Sequence, residues 1–351
     1  MKKAKIGVIG AGWWATEFHI PHLKKREDVE LTSVCKLEKD ELKFVKDKFG
    51  FKHASTDYIE MLDMEKLDGV VIASPHFAHF ENTKAALERD YHVLVEKPMT
   101  TNSKDAQIIH DLLNKKNVEL LSPYGFNWNP LMEKAEQYIE AGTIGKIQHV
   151  DSSFSSSLVD LFQGVPLSES EEHTFKPQAS TWSDPTKAGG YGWGQLSHMF
   201  AGVYMVTKLS PQKVFCMSVP SPTGVDYTDT ISMRFEGGAT GAFSGSAFVP
   251  KEYGGGYNIR VHGDKGSLHL DFEINRERLL VRTNDGKEIS EDAFVGSGTH
   301  AYTTEKPLNT FVDICLGKNY KNHGDINTNL KMVKTLDAAY RSIKSEKLEI
   351  V

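Results

Sequence analysis

The feature that most constrains this chain is the stretch Lys5-Ile-Gly-Val-Ile-Gly-Ala-Gly-Trp-Trp-Ala15 near its start. The apolar run Ile6–Ile9 predicts a buried strand. It stops at Gly10, and Gly12 follows two residues later in front of a segment that can be helical. Strand, glycine turn and helix in that order are the context in which G-x-G-x-x-G/A predicts a dinucleotide-binding turn. Gly10 permits a turn that a Cβ would obstruct, Gly12 lets backbone approach a pyrophosphate, and Ala15 keeps helix and strand close. The helix N-terminus then offers N–H donors and a positive dipole end to phosphates. Trp13 and Trp14 lie inside the turn and are candidate nucleotide contacts with it. The plainer reading is a glycine turn in some other α/β protein.

The chain has 351 residues, room for about two domains. Its 39% hydrophobic and 25% charged residues are ordinary for a globular protein. The formal net charge of −6 and the lack of a basic stripe argue against a nucleic-acid partner. No run approaches the ~20 apolar residues of a membrane span. Met1-Lys-Lys3 resembles the basic start of a signal peptide, but the apolar run behind it is short and turns at Gly10, so a cytoplasmic protein is expected. Cys35, Cys216 and Cys315 are far apart and suggest reduced, buried thiols, with no disulfide framework and no metal site.

Along the chain, strands are predicted over 30–35, 68–74, 91–95 and 119–123, alternating with helices over 15–25 (interrupted by Pro21), 40–49, 79–89 and 103–116, the last capped by Ser103. Such alternation predicts a doubly wound parallel sheet. Beyond residue 125 the pattern changes. A helix over 130–141 is followed by strand-like runs over 147–154, 214–219, 229–235, 240–247, 257–261, 267–272 and 279–283, with turn signals between them, which predicts a large open, mainly antiparallel sheet. Helices over 308–315 and 328–344 close the chain. The expected architecture is therefore α/β, with a nucleotide-binding domain over 1–124 and an α+β substrate and oligomerisation domain over 125–351. The long polar loop 165–187 reads as functional or disordered.

In open α/β sheets, ligands bind outside the carboxyl ends of the strands. Loops after Ile9, Ser74 and Val95 meet that condition. The second reads Ser74-Pro75-His76-Phe-Ala-His79 and the third Glu96-Lys97-Pro98. A lysine there would have its pKa lowered by desolvation and by a cationic ring, and could hold a substrate hydroxyl and move its proton. A solvated strand-end lysine is the plain alternative. Lys97-Pro98 is also a candidate cis peptide. Lys36 stands at the end of the second strand, where an acid would bind the ribose diol of NAD; a cation favours the 2′-phosphate of NADP, with Glu38 two residues on. A second cluster is Gly189-Gly-Tyr-Gly-Trp-Gly-Gln-Leu-Ser-His198. Tyr191 and Trp193 offer flat apolar surface suited to sugar rings. His198 near a helix N-terminus has its cationic form disfavoured and is a candidate neutral base. A packed or capping histidine is the alternative.

The glycine turn, the Glu96-Lys97-Pro98 triplet and the glycine-rich loop leading to His198 together resemble the glucose–fructose oxidoreductase / inositol dehydrogenase / rhizopine catabolism (Gfo/Idh/MocA) family. The resemblance extends through Ala86-Leu87, Gly263-Asp-Lys-Gly-Ser267 and Ala338-Ala-Tyr-Arg-Ser342. It implies a Rossmann domain, an open-sheet domain whose exposed face makes a homodimer or homotetramer, and hydride transfer between NAD(P) and a secondary hydroxyl of a sugar or cyclic polyol. Lys97 and His198 would then be catalytic, with Tyr124, Asn127, Trp182, Tyr191, Trp193 and Gln195 lining the substrate side. The chain departs from the family pattern at Gly194, where an acid often stands four residues before the histidine, at His76 in place of an asparagine, and at Asn127-Trp-Asn129 where an arginine is common. Two other functions stay open: an NAD-retaining glycosidase with no net redox change, and a non-catalytic nucleotide or sugar sensor.

Overall fold

The first third of the chain forms six parallel strands. They are β1 (Ala4–Ile9), β2 (Val29–Cys35), β3 (His53–Ser55), β4 (Gly69–Ile72), β5 (His92–Val95) and β6 (Leu120–Leu121), in the spatial order β3-β2-β1-β4-β5-β6. A computed structural model describes residues 2–167, 170–273, 276–293 and 301–351. Strands covered on both faces are apolar throughout, and Val70, Val71 and Ile72 in β4 and Val93, Leu94 and Val95 in β5 all have 0% exposure. The crossovers are α1 (Ile20–Lys25), α2 (Lys39–Phe49), α3 (Tyr58–Met64), α4 (His79–Glu88) and α5 (Ser103–Leu113). The strand order is the doubly wound one that places a ligand crevice where β1 and β4 diverge.

Three local expectations change. Pro21 does not interrupt the first helix: a π-helical turn, Ala15–His19, passes directly into α1 with the proline just past the junction, where the wider turn has already shifted the i→i−4 hydrogen-bond ladder. The cap of α5 is Asn102, whose side chain accepts from Asp105 N, and Ser103 is already helical. The short pair β3 and α3 was absent from the sequence reading; Asp57 caps α3 through Ile59 N and Glu60 N.

The second sheet has nine strands in the order β14-β13-β12-β11-β7-β10-β9-β8-β15. These are β7 (Ile147–Ser155), β8 (Pro211–Pro220), β9 (Asp226–Phe235), β10 (Thr240–Ser246), β11 (Gly256–Gly263), β12 (Gly266–Glu273), β13 (Arg276–Thr283), β14 (Glu288–Ala293) and β15 (Glu349–Ile350). All neighbours are antiparallel except β7 and β10. Both edge strands, β14 and β15, lay outside the sequence reading. Period-two burial, as in β9 with Ile231, Met233 and Phe235 inside and Thr230, Ser232 and Arg234 outside, marks a sheet with one covered face. The remaining helices are α6 (Pro130–Glu140), α7 (Val159–Phe162), α8 (Ala179–Trp182), α9 (Ser197–Thr207), α10 (Glu305–Cys315) and α11 (Ile326–Ser345). Every residue of α9 is buried.

The chain divides into two compact units. The first is Met1–Pro123 with Pro166–Thr181 and Thr304–Leu330; the second is Tyr124–Val165, Trp182–Thr303 and Lys331–Val351. The first unit therefore takes in two segments from much later in the chain. Among the described residues no helix is long and apolar enough to cross a membrane. Cys35, Cys216 and Cys315 are free and buried.

Candidate active site

In the first unit, the predicted nucleotide residues stand at the carboxyl ends of β2, β1, β4 and β5, which are consecutive in the sheet. Gly10 has φ +83, and a Cβ on it would lie 2.3 Å from Ser74 N. Only glycine lets the turn after β1 close onto the end of β4. A Cβ on Gly12 would meet nothing nearer than Gly10 O at 4.0 Å, so the backbone there is open to approach by a phosphate group. Ala15 is fully buried. Trp13 and Trp14 pack edge to face at 5.4 Å, and Trp14 lies 4.1 Å from Phe18. The Ser74 hydroxyl donates to Asn82 Oδ1 at 2.7 Å. Pro75 is exposed and His76 is buried, with its ring 5.8 Å from that of His79.

Glu96 and Lys97 follow β5, and the Lys97–Pro98 peptide is cis. The Glu96 carboxylate bonds His19 Nε2 at 2.8 Å and accepts the Lys97 backbone N–H at 3.1 Å. Burial opposes its charge, yet these bonds and the neighbouring positive charge outweigh it and hold the carboxyl below the usual range. Lys97 is pushed the other way. Burial brings its ammonium down to about 8, against the pull of Glu96. That is the range in which an amine both holds and releases a proton near neutral pH. His79, with no exposure, ties two loops together. Its Nδ1 meets Pro98 O and its Nε2 meets Ser74 O, each at 2.7 Å.

Lys36, at the end of β2, is held by two carboxylates, Glu38 at 2.9 Å and Glu41 at 2.8 Å. The ring of Phe175 lies 4.9 Å beneath the same ammonium. Phe175 belongs to the segment Pro166–Thr181, which packs on this unit like a strap. Trp13 Nε1 donates to His173 Nδ1 at 2.7 Å, Thr174 N donates to Glu17 at 3.0 Å, and Lys48 reaches the Thr174 hydroxyl at 2.9 Å. The expected long loop 165–187 is thus in part a set of contacts with the glycine turn. His173, Thr174 and Phe175 escaped the sequence reading, and nothing in their local pattern signals this packing.

In the second unit, His198 is the second residue of α9 and is 5% exposed. Aromatic rings enclose it: Phe154 stacked at 6.3 Å, and Tyr124 and Tyr302 perpendicular at 5.9 and 5.4 Å. Phe154 and Tyr302 are additions to the candidate set. Asn127 is fully buried, while Trp182 and Gln195 are half-buried. Two further candidates are packed inside the unit. Tyr191 has no exposure, and its hydroxyl donates to Phe154 O at 2.9 Å. Trp193 is 6% exposed and stacks on Tyr340 at 5.4 Å, which uses one of its faces inside the unit. Gly194 has a steric reason: a Cβ there would stand 3.0 Å from the Trp182 ring. The indole occupies the room an acidic side chain would need.

A doubly wound sheet with an open glycine turn, joined in sequence to a nine-stranded sheet, defines a dinucleotide-binding architecture. Residues 4–124 match the model of an oxidoreductase family with an NAD-binding Rossmann fold, and residues 132–269 match the C-terminal domain of the same family, GFO/IDH/MocA. A myo-inositol 2-dehydrogenase of Thermotoga maritima is 30% identical over 80% of this chain and 78% of its own length. A D-xylose 1-dehydrogenase (NADP(+)) of Haloferax volcanii is 25% identical over 82% of each chain. In fold, an oxidoreductase domain protein from Kribbella flavida matches all of both chains with a TM-score of 0.79 at 19% identity. A levoglucosan dehydrogenase solved with NADH and L-sorbose also has a TM-score of 0.79, at 18% identity, covering 100% of this chain and 99% of its own. The chain belongs to the Gfo/Idh/MocA oxidoreductase family.

Proposed function

We propose that this protein is an NAD(P)-dependent dehydrogenase acting on a secondary hydroxyl of a sugar, cyclic polyol or related small molecule. The observation that carries the reading is Lys97, a partly buried amine lowered to about 8 at the carboxyl end of β5. Gly10, Gly12, Trp13, Trp14, Ala15, Lys36, Ser74, Pro75, His76, His79, Glu96 and Lys97 would hold the dinucleotide, which when bound supplies the hydride acceptor or donor. Lys97 binds the substrate hydroxyl oxygen and takes up or returns its proton. Glu96, fixed by His19, keeps the amine from losing its proton too early. His198 acts as second base or orienter, within an aromatic enclosure that excludes water from its ring. Tyr124, Asn127, Trp182 and Gln195 are proposed substrate contacts.

Lys36 alone argued for NADP. With Glu38 and Glu41 on its ammonium, the group carries one net negative charge. That charge repels a 2′-phosphate and leaves carboxylate oxygens for a ribose diol, which supports NAD. The outer strands β8 and β15 expose Met217, Val219 and Ile350, with Leu348 beside them. They support homo-oligomer formation through this sheet. A cytoplasmic location is proposed from the reduced cysteines.

The test is nicotinamide absorbance over time with NAD⁺ or NADP⁺ and a panel of inositols, sugars and sugar phosphates. A rise with one compound class is expected. A flat trace across the panel from protein shown to bind cofactor would overturn the reading.

A further inference from the structure

A group of buried polar side chains lies under the glycine-rich loop of the second unit and has no part in the chemistry above. It begins with an irregularity in β9. Val219 pairs with Thr228 and Pro220 with Asp226, so Tyr227 is an extra residue. A bulge of this kind re-aims side chains, and here it turns Asp226 to the same covered side as Asp229. The two carboxyls are 5% and 4% exposed.

We infer that Asp226 and Asp229 are a carboxyl pair sharing one proton, which caps and positions the helical run carrying Gln195 and His198. Asp226 makes the cap. Its Oδ2 accepts the Gly192 N–H at 2.6 Å and its Oδ1 accepts the Tyr340 hydroxyl at 2.7 Å. Tyr340 in turn accepts the Trp193 N–H at 3.3 Å, with its ring parallel to the indole. Gly192 and Trp193 open the π-helical turn Gly192–Leu196 that runs into α9. Their N–H groups are among those a helix start leaves without internal partners, and a negative charge there is favourable. The loop is moulded to the carboxylate: Gly190 has φ +102, and a Cβ on it would lie 2.2 Å from Asp226 Oδ1.

Asp229 supplies the proton. Among the described residues neither of its oxygens has a hydrogen bond of good geometry, although the Ser218 hydroxyl on β8 is close enough to act on it. Two adjacent buried carboxylates cannot both carry charge. Burial and Asp226 both push Asp229 well above the usual carboxylate range, against a weaker pull from the Ser218 hydroxyl on β8. Protonated, it donates to Asp226, which then has three donors around it: this carboxyl, the Gly192 N–H and the Tyr340 hydroxyl. The titratable groups facing the pair are Tyr340 on α11, Cys216 on β8 and Tyr191 in the loop. None of these is cationic. Opposite Asp229 on β10 is Gly245, which brings no charge.

The positioning role rests on the dehydrogenase reading; the proton and the cap do not, and both are measurable without substrate. Infrared spectra at pH 8 should show a protonated carboxyl band that Asp229→Asn removes. Amide exchange in 191–197 should be protected, faster by about tenfold in Asp226→Asn. It should speed up in the wild type at the pH where the band disappears, and show no such step in Asp229→Asn. In turnover, Asp226→Asn should lower kcat by about tenfold while the cofactor dissociation constant stays within about twofold. Tyr340→Phe, which keeps the stacked ring, should lower kcat by about threefold if Asp226→Asn does not fold. Absence of the band in the wild type at pH 8 overturns the shared proton. Unchanged exchange in Asp226→Asn, or in Tyr340→Phe if the former does not fold, overturns the cap.

Discussion

Replacing Lys97 by methionine separates what the lysine costs the fold from what it does for the reaction. Methionine keeps most of the stem and removes the ammonium. In the folded protein the ammonium titrates at about 8 because it is buried, against 10.5 unperturbed. Between these two values the unfolded chain binds a proton that the folded chain does not, so wild-type stability rises with pH across that window. Below pH 8 the full penalty applies. The drop from 10.5 to about 8 corresponds to about 3 kcal/mol, and partial access to solvent lowers the expectation to about 1–3 kcal/mol. Lys97→Met should therefore be more stable than the wild type by that amount at pH 7, in denaturant unfolding with the wild-type m-value. The gain should vanish near pH 10.5. Turnover should be abolished and cofactor binding retained, because at pH 7 burial raises the neutral-amine fraction by about 300-fold over a solvated lysine and methionine has no such form. A variant that is less stable at pH 7, equally stabilised at both pH values, or normally active would refute the argument.

Three further outcomes follow from the geometry. Glu38→Gln combined with Glu41→Gln frees the Lys36 ammonium and should move the ratio of NADP to NAD affinity by about tenfold or more toward NADP, measured by titration with each cofactor. Gly194→Asp should lower the melting temperature by several degrees through the clash with Trp182, and Trp182→Ala in the same chain should recover part of the loss. Trp13→Phe deletes the N–H that holds His173, and should raise the cofactor dissociation rate in stopped-flow fluorescence without changing the melting temperature by more than about 2 °C.

Much of this fold was legible because its signals are local. The apolar runs that became β1, β4 and β5 needed no partner to be recognised, and Gly10 announced a turn whose reason, the backbone of Ser74, lies more than sixty residues away. The edge strands β14 and β15 were illegible because their charged and mixed residues lack the alternation a half-buried strand shows. The surroundings of Tyr191 and Trp193 were illegible for a related cause: an aromatic in a glycine loop looks like an open platform, and only tertiary packing against Phe154 and Tyr340 shows how little of either ring is exposed. The Asp226–Asp229 pair was hidden by its spacing. Residues three apart in a strand belong on opposite faces, and a one-residue bulge at Tyr227 is not written in the local pattern. Lys36 was read by its own charge, whereas its partners Glu38 and Glu41 change the sign of the group they form.

The interleaving of the two units bears on how the chain is made. Gly69 in β4 packs so closely on α10 that a Cβ there would lie 2.5 Å from Cys315 Sγ and 2.7 Å from the Phe311 ring. The last covering for that strand thus leaves the ribosome some two hundred and forty residues after the strand itself. The parallel sheet emerges first and waits with an apolar face open, while the antiparallel sheet is synthesised in between. Delayed completion of this kind invites chaperone binding during synthesis. A fragment ending at Pro123 would carry the glycine turn and Lys97 but neither α10 nor the strap, and on this arrangement it should behave as a sticky intermediate instead of a free-standing nucleotide-binding module.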